Sequence, residues 1–377
     1  MTKWTILHRV RYPPFDDKRI HPKAAPISEK VIEANLTKDE VMRRLPPYKI
    51  SSPDGWLIER IIEDENGKGF VGTTKKLEDD GDFVKLVGEQ RTGWYILPNN
   101  LHRYSRNMVS GAVILLLSTL VYLFIEPILS ELGIPSIGTK SVQVGLLDYP
   151  VLSIIVVPVL MLPIVLRIIA NFIDLKRQQD FFRSPVRQPS VSFSLPIVSG
   201  ESLDGTIQIP EKLPGWTSMT AHLQVGTLPP SRDALIKISE TTEHSQPPVG
   251  LSTPLPHHWE SGLDDGTAGG EDSPLERQDI QGGVFLRPMR FSAQGGQAQV
   301  DEDGSFSIPP PQELWPGTVN TGLHRIHWEF ILKIKREKQM PLLWVCPIRV
   351  RFPNQLVHLE NLDINDPRTE QLYIGIR

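Results

Sequence analysis

Two uninterrupted apolar runs divide the chain into two long polar regions. Met108–Ile125 and Tyr149–Leu166 each contain eighteen residues without a charged side chain. A helix of that length spans about 27 Å, which is close to the thickness of a bilayer's hydrocarbon core. Buried helices of a globular core are the alternative, but such helices normally keep a polar stripe, and neither run has one. The pattern predicts transmembrane helices over residues 108–126 and 149–173, joined by an external loop of residues 127–148.

Basic residues cluster at the ends of the two runs that are distant from this loop, whereas the loop contains Lys140 as its one basic residue. Because positive charge is retained on the cytoplasmic side, we expect a two-pass integral membrane protein with both termini in the cytoplasm. Residues 174–187 are then a basic juxtamembrane linker. The side chains expected to flank and anchor the hairpin are Arg103, Arg106, Arg167, Lys176 and Arg177.

Residues 1–107 are polar and carry short elements. In LTKDEVMRRL, Thr37 and Glu40 have the T-x-x-E spacing of a capping box, which predicts a helix that ends before Pro46. Strand-like runs and turn signals follow in WLIERIIED, GFVGTT, DFVKLVGE and GWYILP. We expect a small soluble α+β domain that ends in a β-meander.

Residues 188–377 change to a period of two. Apolar residues alternate with polar ones in VSFSL, TIQI, HLQV and ALIKI, and again in HWEFILKI and LLWVCPIRVRF. Half-buried strands separated by Pro and Gly turns predict an antiparallel β-sandwich. Between the two groups, residues 242–281 are rich in Pro, Gly, Ser and acidic residues, which predicts a long flexible insertion.

Three segments of this region resemble an arrestin-type sandwich. The run VSGESLDGTIQI, Val198–Ile209, resembles the opening of such a domain, where a Gly-Glu pair, a hydrophobic residue and a second glycine introduce a strand. DGSFSIPPPQELWPGTVNTGLHRIHWEFILKI is similar to the family's Pro-rich connection between two strands, and LLWVCPIRV looks like a closing strand. The resemblance covers residues 188–353, about one sandwich. It implies an arrestin-like or immunoglobulin-like fold that binds other proteins, although the second sandwich and the buried charged cluster of arrestins have no recognisable counterpart.

Charge and side-chain chemistry exclude several classes of function. The formal net charge of -4 over 377 residues gives no electrostatic basis for nucleic-acid binding. One cysteine, Cys346, excludes an intramolecular disulfide, and it falls on the inward face of its predicted strand. His324 and His327 are three apart on a predicted strand, so their side chains point to opposite faces and do not chelate one metal. We predict no catalytic, cofactor-binding or metal-binding residue.

These features predict a non-enzymatic adaptor that is anchored in the membrane and presents a cytoplasmic β-sandwich to a protein partner. Its predicted partners are the lipid bilayer and an unidentified protein, and no nucleic acid. The alternative is a structural subunit of a membrane complex, assembled through the transmembrane hairpin, for which Ser110, Gly111 and Ser118 are small residues suited to helix packing. An enzyme, the third class, needs a convergent polar cluster that a sequence does not display.

Overall fold

The structure, a computed structural model, divides into two compact units, Met1–Leu97 with Pro185–Arg377 and, separately, Pro98–Ser184. The first is called the β unit below and the second the hairpin unit. The structure describes residues 2–11, 27–53, 55–64, 91–97, 99–135, 138, 140–183, 186–210, 214–228, 286, 289, 291–321, 323–337 and 339–362.

Helices and strands are numbered in chain order over these residues. Before the first long helix come β1 Thr2–Arg11, β2 Ser28–Leu36, α1 Lys38–Arg44, β3 Tyr48–Ser51, β4 Leu57–Asp64 and β5 Gly93–Ile96. The hairpin unit contains α2 Asn100–Glu131, β6 Ser141–Val144, β7 Leu147–Pro150 and α3 Val151–Arg183. After it come β8 Ser190–Phe193, β9 Leu203–Gln208, β10 Trp216–Thr227, β11 Ser292–Gln299, β12 Ser305–Ile308, β13 Val319–Asn320, β14 Arg325–Arg336, β15 Gln339–Ile348 and β16 Val357–Leu359.

A five-stranded sheet in the order β16-β3-β4-β1-β2 forms one part of the β unit. Its core contains Ile6 and Ile32, which are paired across β1 and β2, and Leu45 at the end of α1. The predicted capping box of α1 is confirmed, since the Thr37 hydroxyl accepts from the Glu40 amide at 3.3 Å and the Thr37 amide donates to Glu40 Oε2 at 3.0 Å. Sequence patterns did not predict β1 or β2, which supply two of the five strands.

The other part of the β unit contains two antiparallel sheets. One has six strands, in the order β11-β10-β14-β15-β5 with β13 paired to β14, and the other has the order β12-β9-β8. Phe193 of β8 and Phe306 of β12 contact Phe330 of β14 with ring centroids 5.5 and 5.0 Å apart. The predicted β-rich character of this region is confirmed, while the predicted insertion 242–281 lies outside the described residues.

Strands from either side of the hairpin unit are exchanged between these sheets. β5, which precedes α2, pairs with β15, and β16 near the end of the chain pairs in parallel with β3. The indole N–H of Trp94 in β5 also donates to the Arg187 carbonyl at 3.2 Å. Residues 1–97 and 185–377 therefore form one compact unit, although the sequence predicted separate soluble domains over residues 1–107 and 188–377. Pairings of this kind join residues more than 200 positions apart, which local periodicity does not report.

The hairpin unit contains two helices that are long and apolar enough to cross a membrane, as predicted. Asp174 of α3 links the two helices, because its carboxylate accepts a hydrogen bond of 3.3 Å from the Asn99 amide at the start of α2. Arg177 compensates the charge of Asp174 at 2.9 Å. Near the same end, the Ser105 hydroxyl donates to the Pro163 carbonyl at 2.7 Å. Within the predicted loop of residues 127–148, α2 continues to Glu131 and a β-hairpin follows it. Within the predicted linker of residues 174–187, α3 continues to Arg183.

Candidate functional site

The candidate site lies on β14, the central strand of the six-stranded sheet. Its alternate residues Trp328, Phe330, Leu332 and Ile334 are buried on one face, and that face is entirely apolar. The opposite face carries His327, Glu329, Ile331 and Lys333, which are also buried. A strand with neighbours on both edges and cover on both faces has no solvent for its polar side chains, so each of these must find a partner within the protein.

An ion cluster meets that requirement at Glu329, which has no exposed surface. The Arg91 guanidinium binds its carboxylate in bidentate fashion, with Nε directed at Oε1 and a terminal nitrogen 3.1 Å from Oε2. His327 Nε2 lies 3.1 Å from Glu329 Oε1. Because a carboxylate only accepts, His327 donates from Nε2 and carries its proton there. Arg91 lies directly before β5, so the cluster also joins the chain that precedes the hairpin to the strand that follows it.

Burial and charge act in opposite directions on this cluster. Burial on its own raises the pKa of Glu329, but the Arg91 charge and the His327 hydrogen bond outweigh it and hold the pKa below its usual value. Burial lowers the pKa of His327, and its hydrogen bond to Glu329 opposes that shift without cancelling it. The cluster at neutral pH is therefore an arginine cation, a glutamate anion and a neutral histidine.

This arrangement suits fixation of structure better than general-base catalysis. In a catalytic relay the carboxylate raises the basicity of its histidine. Here the Glu329 carboxylate is already neutralised by two hydrogen bonds from Arg91, and the pKa of His327 stays below its ordinary value. The cluster therefore orients His327 and fixes the segment before β5, and it supplies little driving force for proton abstraction.

A depression of about 200 Å³ opens beside the cluster, and His327 forms part of its wall. The Asn320 side-chain oxygen is buried in the wall and has no hydrogen-bond partner among the residues that the structure describes. Arg349 lies exposed at the depression. The polar residues that line it are Thr92, Thr318, Asn320, Arg325, His327 and Arg349. The exposed Arg349 gives this site a positive charge, and Asn320 offers an acceptor for an N–H donor.

A second buried polar cluster fixes the five-stranded sheet to the segment before β14. The rings of His8 and His324 stack with centroids 4.9 Å apart, and Tyr48 Oη lies 2.6 Å from His324 Nδ1. His324 Nε2 lies 3.1 Å from the Arg9 carbonyl, so Nε2 carries the proton and Tyr48 donates to Nδ1. Arg60 donates to His8 Nε2 at 3.1 Å.

Burial lowers the pKa of both histidines, that of His324 to about 3, and the Arg60 charge adds to the shift. Both rings are therefore neutral at physiological pH. Both are also fully buried, so the cluster has a packing role in which two imidazoles replace ordinary apolar residues.

His324 lies directly before β14 and His327 lies within it, and each belongs to a different cluster. Cys346 is half-buried in β15, and burial raises the pKa of its thiol to about 11, so the thiolate is scarce at neutral pH. Over the residues that the structure describes, no three side chains of the His, Cys, Asp and Glu types form a group able to hold a metal ion.

The predicted flanking residues lie on the two long helices. Arg103 and Arg106 belong to α2, and Arg167, Lys176 and Arg177 belong to α3. Arg167 is half-buried, Lys176 is exposed, and Arg177 pairs with Asp174. Their role at a membrane surface stays a prediction.

The sequence matches no known protein-family model, and no curated protein is significantly similar to it. The resemblance to arrestin-type sandwiches therefore stays a prediction. The Arg91, His327 and Glu329 cluster was missed because Arg91 lies outside the region of that resemblance. The one sequence signal for it was a glutamate, Glu329, in the middle of the apolar run HWEFILKI.

Proposed function

We propose that this chain is a non-enzymatic adaptor, anchored in a membrane by α2 and α3, whose β unit binds another protein on the cytoplasmic side. The exchange of strands around the hairpin unit is the observation that carries the proposal. β5 ends before α2 and pairs with β15, which follows α3. Both flanks must therefore share one compartment, and two crossings satisfy that condition where a single crossing does not. The basic residues around Arg106 and Arg177 favour the cytoplasm as that compartment.

Two features of the β unit favour protein binding. Within the described part of the chain, β2 pairs with one neighbour, so it offers an edge to which an extended segment can add as a strand. The depression beside His327 offers the exposed Arg349 side chain and the buried Asn320 oxygen to a polar group of the partner. Aromatic contacts between the two antiparallel sheets support the proposed sandwich.

Removal of the hairpin unit tests the proposal. Replacing residues 98–184 with a short Gly-Ser linker is compatible with the β unit, because the contact between Trp94 and Arg187 holds the two cut ends near each other. We expect this hairpin-less variant to be soluble, to give a β-type circular dichroism spectrum, and to retain the proteins that co-purify with the full chain in detergent. Loss of every partner from a folded hairpin-less variant contradicts the adaptor proposal.

A charge reversal then locates the binding surface. Arg349→Glu removes a positive charge at the depression, and Arg351→Glu is the matched control because Arg351 is exposed and does not line it. We expect the first variant to lose partner and the second to keep it. If both variants retain equal amounts of partner, the binding surface is assigned to the sheet edges instead of the depression.

The second candidate is a subunit that assembles through its helices. Gly111 favours it, since a side chain at that position of α2 would meet open space, which leaves room for close approach of another helix. A full chain that keeps its partners in detergent, combined with a folded hairpin-less variant that loses them, supports this candidate.

A further inference from the structure

The short hairpin of β6 and β7, between the two long helices, is amphipathic. Val142 pairs with Tyr149, and Leu147 lies two residues from Tyr149, so these three side chains share one face. Gln143 pairs with Asp148 on the opposite face. The apolar face is open, because Val142, Leu147 and Tyr149 are 45%, 60% and 40% exposed. At the turn, Leu146 is 98% exposed. A hairpin with one apolar and one polar face normally packs its apolar face against another apolar surface.

Backbone hydrogen bonds fix this hairpin to the start of α3. The amide of Val151 donates to the Lys140 carbonyl at 3.0 Å, and that of Leu152 donates to the Gly138 carbonyl at 2.9 Å. Gly138 has a φ of +75°, and a side chain there would approach Leu152 to 3.1 Å, so the close contact requires glycine. Two amides that a helix N-terminus leaves unpaired are thus satisfied inside the protein. The hairpin continues α3 as a fixed extension.

This position lies at one edge of the apolar helical region. From Val151 the sequence of α3 has no charged residue before Arg167, and the hairpin ends at Pro150, directly before it. At its other side, α2 ends at Glu131 after an apolar stretch that begins at Asn107. If these stretches cross a bilayer, the hairpin lies where hydrocarbon gives way to headgroups. Tyrosine and leucine beside each other are typical of that zone.

We propose that the apolar face of the β6–β7 hairpin, with Leu146 at its tip, docks into the boundary between headgroups and acyl chains of the membrane that α2 and α3 cross. Its occupant is lipid. Four side chains provide far less than the roughly 800 Å² per partner that a stable protein interface buries. A membrane surface that is continuous with the spanning helices needs no such area, because the helices already hold the hairpin at the interface. The hairpin thereby fixes the depth of α2 and α3. This inference rests on the proposal that these helices cross a bilayer.

Site-specific fluorescence on the full chain tests it. Cys346→Ser leaves a background without cysteine, into which Leu146→Cys, Gln143→Cys and Leu117→Cys are introduced one at a time. Each variant is labelled with an environment-sensitive dye in phosphatidylcholine nanodiscs, which expose both membrane surfaces. Quenchers are nitroxide lipids, labelled either near the headgroup or deep in the acyl chain, and aqueous iodide. Gln143 is the matched control because it belongs to the polar face of the same hairpin.

We expect headgroup-level nitroxide to quench the dye at position 146 at least about threefold more than the dye at position 143, since an interfacial apolar face is buried by about 5–10 Å. Iodide should give the reverse order. Equal quenching by iodide at both positions, with the dye at position 117 quenched by the deep nitroxide, overturns the docking of the hairpin and leaves the membrane anchor intact.

Two other outcomes also overturn the inference and point elsewhere. A dye at position 117 that no nitroxide lipid quenches removes the membrane anchor itself, and with it the proposed function. A dye at position 146 that is protected from both quenchers, together with disulfide-linked dimers of Leu146→Cys, identifies a second copy of the chain as the occupant.

Discussion

The two units of this chain place their large apolar side chains in opposite ways. Along α2 and α3 large apolar residues such as Leu117, Phe124 and Ile155 are exposed, while the charged Asp174 is buried. In the β unit the apolar residues are buried, and so are several charged and polar ones, among them Glu329 and His324. The difference is expected if the hairpin unit has lipid as its solvent and the β unit has water. Acid, removal of a buried charge and loss of a helix cap should therefore change the stability of the two units by different amounts.

Acid should destabilise the β unit more than any single substitution named below. Burial lowers the pKa of His8, His222 and His324, that of His222 to about 4 and that of His324 to about 3. In the unfolded chain these histidines bind protons once the pH falls below the ordinary histidine pKa of about 6.5. In the folded protein they stay neutral at that pH. The free energy of unfolding therefore has its full value above pH 6.5 and decreases as the pH is lowered. Between pH 7 and 5.5 three such histidines cost about 4 kcal/mol in free energy of unfolding.

Urea unfolding of the hairpin-less variant at pH 7 and pH 5.5 measures this loss. His222→Leu should reduce this loss by about 1 kcal/mol, since the proton that the unfolded chain binds at position 222 is removed. His358→Gln is the control, because His358 is exposed and should leave the loss unchanged. An unfolding free energy that is equal at the two pH values contradicts burial of neutral histidines.

Removal of the Glu329 charge is expected to cost about 3 kcal/mol, since Arg91 then remains as a buried cation without its anion. The measurement is the urea midpoint of Glu329→Gln in the hairpin-less variant. The double variant Arg91→Met with Glu329→Leu should recover a large part of the loss, because no charge is left buried. Equal losses for the single and double variants indicate that the cluster acts through packing and not through charge.

The comparison of the units also shows which features the sequence reports. Long apolar helices are defined by local composition, so α2 and α3 were predicted from apolar runs alone. The Thr37 capping box was predicted for the same reason, since its two partners are three residues apart. Strand β1 was missed because charged residues such as Arg9 interrupt its apolar residues, and the structure pairs Arg9 with Glu59, fifty positions away. Arg91 and Glu329 are 238 positions apart, and nothing in either local sequence specifies the other.

In the hairpin unit, Asp174→Asn is expected to cost about 2 kcal/mol. The neutral amide still accepts from the Asn99 amide, but it loses the charged hydrogen bond to Arg177 and the favourable charge at the start of α2. Thermal unfolding of the full chain in detergent, followed by helical circular dichroism, measures the change. Asp180→Asn is the control on the same helix, because Asp180 is exposed. An equal loss in both variants assigns the effect to net charge and not to the contact between α2 and α3.

The smallest expected effect concerns a single helix cap in the β unit. Thr37→Ala removes the hydroxyl that accepts from the Glu40 amide, and an N-cap of this type contributes about 1 kcal/mol. Thr37→Ser keeps the hydroxyl and should retain most of that stability, so the pair isolates the cap from the loss of a methyl group. The urea midpoint of the hairpin-less variant is the measurement. Because α1 packs Val41 and Leu45 into the five-stranded sheet, a loss several times larger indicates that the cap also determines whether this sheet is covered.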